Sequence, residues 1–377
     1  MALPPEIHKE LLHNWAALSA TEKVLLLSLC GLVVLMYVYA GWILLSGAVR
    51  WTARRVRGPA RAKPGQAEAA PAAEVSLGRS VRATSWRTEG RRRRHWVWRV
   101  LRGTTLTLSA AGGLCVAYAF FVEPYWPEIT RFELRSDRLP AGREFVRIVH
   151  ISDMHCDGDV VRLEYELPAL IRQVNPDLIV WTGDAANDAP AGMERFYRTM
   201  GRIAEIAPTY GVIGNWDYNA RRKLPGVGVT VLEGRFVDVD IRGAGLRLVN
   251  GQAHQSRRVA QWIQQADPER YVVLLNHFPD FILSVKNAVN TGRMPDLFLA
   301  GHTHGGQIRL PFHGAIVTQQ ETGRLFENGM VEFNGTQVHV SRGIGMNGNL
   351  PRARFLCRPE IAVIDLYSSK GDGENGP

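Results

Sequence analysis

Apolar and polar positions follow three different patterns along this chain. Val24 to Val49, VLLLSLCGLVVLMYVYAGWILLSGAV, carries no charged side chain, and neither does Gly103 to Val122, GTTLTLSAAGGLCVAYAFFV. A helix of about 20 such residues crosses the hydrocarbon core of a bilayer, so both stretches are predicted to be transmembrane helices. The second is softer, with Thr and Gly inside it. Membrane helices tolerate both, and Trp96, Trp98, Tyr125 and Trp126 bracket it as interfacial aromatics would. After Pro124 the pattern changes. FVRIVHI, DLIVWTG, PTYGVIG, YVVLLN and DLFLAG are short β-branched runs, and the amphipathic stretches VVRLEYELPALIRQV and MERFYRTMGRIAEI fall between the first of them. This alternation predicts an α/β domain with partly parallel strands. Later runs (VTVLEG, RFVDVDI, LRLVNG, VEFNG, QVHVSRG, EIAVIDL) look like strands without long helices and predict a second sheet.

Composition bounds this picture without changing it. The chain has 377 residues, 46% of them hydrophobic and 21% charged, which excludes a wholly disordered protein. Four cysteines make no disulfide framework. Charge distribution adds more. The whole chain is +9, yet Arg50 to Gly103 alone holds fifteen Lys and Arg against three Glu, a local +12 that leaves −3 for the rest. Basic blocks bind phosphate backbones, but this one is flanked by the two apolar stretches. Read as a loop, it faces the cytoplasm and contacts anionic lipid headgroups; no nucleic-acid partner is expected. The residues before Val24 are net −1, unlike a signal peptide, so the first helix is read as a retained anchor.

The expected organisation is a short segment over 1–23, a transmembrane helix over 24–49 and a basic Pro/Ala-rich loop over 50–102. A second transmembrane helix over 103–122 and a lead-in over 123–142 follow, then the catalytic domain over 143–367 and a disordered tail over 368–377. Two spans with a cytoplasmic loop between them put that domain on the periplasmic side of a bacterial inner membrane.

The candidate chemistry lies at the C-terminal tips of the α/β strands, where ligand sites form. Asp153 and His155, then Asp184, Asn215 and His277, and finally His302 and His304 occupy five successive tips. Two imidazole-and-carboxylate sets that share a bridging carboxylate would hold two divalent cations roughly 3.5–4 Å apart. Mixed nitrogen and oxygen donors favour Mn, Fe or Zn over Ca or Mg. Water bridging such a pair loses a proton near neutral pH and attacks in line, so the expected reaction is phosphoester hydrolysis.

ISDMH, TGD, GNWD, NHFPD and GHTHGGQ resemble, in order, the five signature blocks of the calcineurin-like metallophosphoesterases, over about Arg143 to Leu366. The segments EITRFELRSDRLPAG, VSRGIGMNGNLPRARF and RPEIAVIDL resemble the bacterial membrane-attached subgroup. The resemblance implies a two-sheet αββα sandwich with two metals. One would be held by Asp153, His155, Asp184 and His304, the other by Asp184, Asn215, His277 and His302, with Asp184 bridging. Asp184, Asn215, His302 and Asp217 would be the catalytic set, with Asp217 orienting a neighbouring group. Gly183, Gly214 and Gly301 precede ligands where the backbone turns. Trp216 stands where the family has a His thought to protonate the leaving group. An indole N–H donates one hydrogen bond but shuttles no proton. A good leaving group, or another acid such as His254 or His313, would have to compensate. Trp216 and Arg342 are candidate substrate contacts, and Cys156 is not expected to be a ligand.

The expected function is therefore a membrane-anchored phosphoesterase acting on a lipid-linked or cell-envelope substrate. The alternatives are a cytoplasm-facing UDP-2,3-diacylglucosamine pyrophosphatase of lipid A synthesis and a metal-binding sensor or scaffold with little catalysis.

Overall fold

The computed structural model describes residues 37–46, 81–140, 145–157, 162–187, 190–217, 220–318, 322, 324–347 and 352–370. The described residues fall into two compact units, a first that begins at Ala117 and a second that ends at Val116.

In the second unit a short apolar helix, Tyr37–Ser46, covers the described part of the first predicted span; the remainder of 24–49 lies outside the described residues. The helix Val81–Phe121 takes in nearly all of the second predicted span together with residues 81–102 of the basic segment, so that part of the segment is helix and not loop. Within this region, Arg94–Tyr125 is long and apolar enough to cross a membrane. Its polar residues are accommodated locally. The Thr105 hydroxyl donates to the Leu101 carbonyl one turn back, at 2.9 Å. A Cβ on Gly112 would lie 2.7 Å from the Tyr37 hydroxyl, so the glycine makes room for that side chain. The Pro/Ala-rich stretch and the tail after residue 370 lie outside the described residues.

The first unit is a two-sheet sandwich with helices on both outer faces, the αββα arrangement expected. One sheet runs β1 (Glu128–Ser136), β14 (Glu360–Ser368), β2 (Val146–Ile151), β3 (Leu178–Trp181), β4 (Thr209–Gly211), β5 (Val229–Val231). The other runs β12 (Gly329–Phe333), β13 (Thr336–Val340), β9 (Leu297–Ala300), β8 (Tyr271–Leu275), β7 (Ala244–Asn250), β6 (Phe236–Ile241). A small antiparallel ribbon, β10 (Arg309–Leu310) with β11 (Gly314–Ala315), stands apart from both. Strands β2 to β5 are parallel in the first sheet, as are β7, β8, β9 and β13 in the second. Parallel strands buried on both faces read as continuous apolar runs, and β3, β8 and β9 are buried at every position.

Three apolar layers hold these elements together. Ile148, Val180, Leu248, Val273, Leu299 and Ile364 fill the space between the sheets. Val149, Ile151, Trp181 and Phe196 join the first sheet to the helices Arg162–Gln173 and Ala191–Ala204. Phe298, Leu274, Ile263 and Ile282 join the second to the helices Ser256–Gln264 and Phe281–Val289.

One expectation is corrected. The sheets are not divided by chain order: β8 and β9 belong to the second sheet, while β5 and β14 return to the first. Two short helices, Ser256–Gln264 and Phe281–Val289, cover the outer face of the second sheet. The lead-in joins the first sheet, where β1 pairs with β14 over nine residues and alternates half-buried and exposed side chains.

The turn after the apolar helix is tied into the sandwich. The Glu123 carboxylate accepts the Leu356 N–H at 2.9 Å and that of Cys357. Arg354 donates its backbone N–H to the Ala119 carbonyl at 2.9 Å, and the Arg358 guanidinium donates to the Trp126 and Pro127 carbonyls.

Candidate metal centre

Parallel strands deliver their following loops to one rim of each sheet, and the seven predicted donors follow β2, β3, β4, β8 and β9. Five of them turn through the left-handed region: Asp153 (φ 51°), His155 (40°), Asp184 (60°), His302 (73°) and His304 (51°). That backbone costs a non-glycine residue about 1–3 kcal/mol and persists where the surroundings impose it, as at functional sites. Two glycines give the donors clearance. A Cβ on Gly214 would lie 2.3 Å from Asp184 Oδ1, and one on Gly301 would lie 2.3 Å from Asp153 Oδ2. Both are required for the site's geometry, beyond their roles as turn residues.

The side chains converge in two groups that share Asp184: Asp153, His155, Asp184 and His304, all buried, and Asp184, His277 and His302. Asp184 Oδ2 is 3.3 Å from both His155 Nε2 and His277 Nε2. His304 Nε2 lies 3.0 Å from His155 Nε2 and 3.3 Å from Asp153 Oδ1, and His302 Nδ1 lies 3.2 Å from His277 Nε2. Imidazole nitrogens facing each other and a shared carboxylate form a donor set that suits divalent cations.

The electrostatics agree. Burial and the neighbouring His155 push His304 well below its ordinary value, so it stays neutral with a lone pair to offer. Burial disfavours charge on His277 too, but Asp184 and then Asp153 override it and raise His277 to about 10. The carboxylates therefore demand positive charge at this point. His277 Nδ1 donates to the Thr182 carbonyl at 2.8 Å, which leaves Nε2 as the ligating atom.

Asn215 sits in the exposed turn between two backbone contacts to this cluster: Gly214 N donates to Asp217 Oδ2 at 2.6 Å and Trp216 N to Asp184 Oδ1 at 3.0 Å. Asp217 is buried, and its two oxygens accept from the N–H groups of Gly214, Asp184 and Ala185. It organises the backbone under the ligands. Burial and Asp184 raise its carboxyl to about 6. The Trp216 ring meets the His155 ring edge-on, with centroids 5.7 Å apart.

Arg342 is engaged in ion pairs inside the domain. Its guanidinium is 2.9 Å from Glu128 Oε2 and 3.5 Å from Glu360 Oε1, so two carboxylates already neutralise it. His313 Nε2 lies 2.5 Å from the Arg324 guanidinium, and His254 is exposed in the 3-10 turn after β7. Cys156 is buried beside the site, bridged to Ala186, and burial raises its thiol well above the ordinary range, as befits a non-ligand. Sequence reasoning missed Thr182, whose only signal was its place before the TGD glycine. It also missed Glu123 and Arg354, which carry no motif.

The comparisons with known proteins agree with this geometry. Residues 146–306 match the model of the calcineurin-like phosphoesterase family. The chain is 31% identical to the uncharacterized metallophosphoesterase YkuE of Bacillus subtilis, over 70% of this chain and 92% of that one. It is 28% identical to the phosphodiesterase YaeI of Escherichia coli, over 71% of this chain and 98% of that one. A transmembrane protein with a metallophosphoesterase domain from Bos taurus is 26% identical, over 64% of this chain and 58% of its own length. Among solved structures, a dimetal phosphatase from Danio rerio aligns with a TM-score of 0.37 and 13% identity, over 59% of this chain and 93% of its own. The chain belongs to the calcineurin-like metallophosphoesterases. It is a metal-dependent hydrolase of phosphoesters with a dimetal site of Asp and His ligands.

Proposed function

We propose that this chain is a membrane-anchored phosphodiesterase whose substrate is a lipid-linked or cell-envelope phosphoester. It would sit in a bacterial inner membrane through two spans, with its site on the periplasmic side. The observation that carries the chemistry is Asp184 Oδ2, 3.3 Å from an imidazole nitrogen of each ligand group. Asp153, His155, Asp184 and His304 would hold one cation, and Asp184, Asn215, His277 and His302 the other, with Mn, Fe or Zn suited to these donors. When bound, such a pair activates water and neutralises charge on the phosphoryl oxygens.

The protein's own groups set the rest. Thr182 fixes the tautomer of His277, and Asp217 holds the backbone that presents Asp184 and Asn215. Trp216 covers His155 and supplies at most one hydrogen bond to a leaving oxygen. A leaving group that needs no protonation, such as an activated phosphodiester, is therefore the favoured substrate. The YaeI name is consistent with a diester. The anchor supports a substrate in or near the bilayer, since Arg94–Tyr125 is apolar and almost wholly exposed.

The test uses the detergent-solubilised full chain, stripped with chelator and reloaded with Mn(II). It should hydrolyse bis(p-nitrophenyl) phosphate faster than the monoester and cleave a pyrophosphate-linked lipid in vesicles, whose leaving phosphate needs no protonation. His302→Ala should abolish both activities, and unchanged turnover in that variant overturns the binuclear mechanism. Reporters fused after Pro377 should read outside the cytoplasm; an inside reading removes the periplasmic assignment and makes UDP-2,3-diacylglucosamine the first substrate to try.

A further inference from the structure

The metal rim and the end of the apolar helix meet at one end of the sandwich. β2 runs toward Asp153, and β14 pairs with it antiparallel, Ala362 opposite His150. β1 is parallel to β14 from its first residue, Glu128 opposite Glu360. The chain therefore enters β1, directly after Tyr125 and Trp126, at the rim that carries the ligands. Phe121, Tyr125 and Trp126 are exposed there, and the Arg358 guanidinium lies 4.3 Å from the centroid of the Trp126 ring.

A second element projects from the same rim. The β10–β11 ribbon is rooted in the loop of His302 and His304, where the Arg309 guanidinium donates to the Gly305 carbonyl at 3.1 Å. Arg309 N–H donates to the Phe355 carbonyl, and Phe355 N–H to the Gln307 carbonyl, each at 2.9 Å. The Phe355 ring in turn meets the Tyr118 ring edge-on, with centroids 6.4 Å apart. Ribbon and helix end thus share one short segment, on which Leu356 is exposed. At the ribbon's tip Phe312 is fully exposed and held in the left-handed region (φ 64°). That backbone is costly for a non-glycine residue, and the ring recovers nothing by packing inside the chain. A lone exposed apolar side chain is ordinary. This one stands on the rim where the apolar helix ends, with a cation behind it: the Arg324 guanidinium is 2.5 Å from both the carbonyl and Nε2 of His313. An apolar tip backed by positive charge suits a bilayer interface, where such segments bury about 5–10 Å and draw on anionic lipid. Three extended residues, from Arg309 to Phe312, span about 10 Å, enough for that depth.

We propose that the β10–β11 ribbon is a bilayer-docking element: Phe312 enters the boundary of the acyl chains and Arg324 lies among anionic headgroups, holding the loop of His302 and His304 against the membrane surface. Phe121, Tyr125, Trp126 and Leu356 complete the contact. The site then takes a phosphoester at headgroup level while the apolar part of the substrate stays in the bilayer.

The inference rests on the membrane-anchored reading above, and its test separates the two. The full chain is reconstituted in phosphatidylethanolamine–phosphatidylglycerol vesicles with 4-trifluoromethyl-phenylalanine in place of Phe312 or, as a control, of Glu332. Glu332 is exposed on β12 opposite Gln337, which lies beside Leu297 where β9 begins, at the rim away from the ligands. Fluorine relaxation is read with a gadolinium chelate in the water on both sides, and separately with a nitroxide on the lipid acyl chains. At the depth of an interfacial segment, position 312 should respond about tenfold less than position 332 to the chelate and about tenfold more to the nitroxide. Equal response to the chelate, in chains that stay with the vesicles in carbonate, overturns the inference and leaves the anchor standing. Shielding at 312 without response to the nitroxide means that protein, such as a second copy, covers the tip, and overturns it too. Release of the chain by carbonate overturns the anchored reading and the inference with it.

Discussion

The helix Arg94–Tyr125 and the sandwich place apolar and charged groups in opposite ways. On the helix, Leu108, Leu114, Val116, Phe120 and Phe121 are exposed among the described residues. In the sandwich, apolar side chains fill three internal layers, yet one rim buries Asp153, His155, Asp184, His277 and His304. Each region breaks the ordinary solvation rule. Charge taken out of water calls for a cation, and exposed apolar surface is what a lipid-facing helix would show. Exposure by itself therefore has no fixed meaning; the surroundings that a side chain would need decide what it signifies.

The sharpest way to break this comparison is to remove the shared anionic donor. Asp184→Ala leaves both ligand groups incomplete, and cation stabilisation of a phosphoryl transition state is worth several kcal/mol, so turnover of a model diester at saturating Mn(II) should fall by about 10³-fold or more. A fall of less than about tenfold would mean that the buried rim is not built around cations. Arg354→Met should give the next largest effect, this time on stability. The fully buried guanidinium donates to the carbonyls of Cys357, Arg342, Gly343 and Gly345. Leaving those acceptors unpaired should cost about 4 kcal/mol, read as a lower denaturation midpoint with an unchanged slope.

A matched pair of substitutions sharpens the contrast directly. Leu114 on the helix is 72% exposed and Tyr165 on the sandwich is 70% exposed. If the helix spans a bilayer, Leu114→Arg should cost about 3 kcal/mol of insertion, seen as chain released from membranes by carbonate. Tyr165→Gln forfeits only a stacking contact with Arg202 and should change stability by less than about 1 kcal/mol. Equal, small effects at both positions would remove the argument for a lipid-facing helix.

The two regions also differ in how readable they are. The apolar helix and the ligand tips are local signals: a run without charge in one case, a polar residue straight after a β-branched run in the other. The donors that resemble a family's blocks are legible residue by residue. What escapes depends on contacts between distant segments. Nothing in VTVLEG or EIAVIDL says which sheet accepts it, so the pattern assigns β5 and β14 to the wrong one. Arg342 looks like a phosphate ligand because Glu128 and Glu360, its partners, are far away in sequence. His150 and His339 read as ordinary strand residues because a hydrogen bond across the sandwich leaves no spacing to detect.

A pH-dependent effect concerns a buried carboxyl beside the rim that is not one of the ligands. Glu164, in the helix Arg162–Gln173, is buried against Cys156 and faces Arg195 at 3.6 Å. Burial raises its carboxyl to about 7, with Arg195 opposing the shift. An unfolded glutamate titrates near 4.3, so between the two values the folded state holds more protons. The contribution is therefore fully present below about pH 4, declines as pH rises, and is lost above about pH 7. Across that window it amounts to roughly 3–4 kcal/mol. Glu164→Gln keeps the size and a neutral polar head while removing the titration. Its stability should fall less steeply than the parent's from pH 5 to 8 and should exceed the parent's at pH 8 by up to about that amount, with both chains compared in chelator by chemical denaturation. If the Gln variant instead loses stability at pH 8, the ion pair with Arg195 outweighs burial, and buried charge is tolerated on a residue that is no ligand as well as on the ligands.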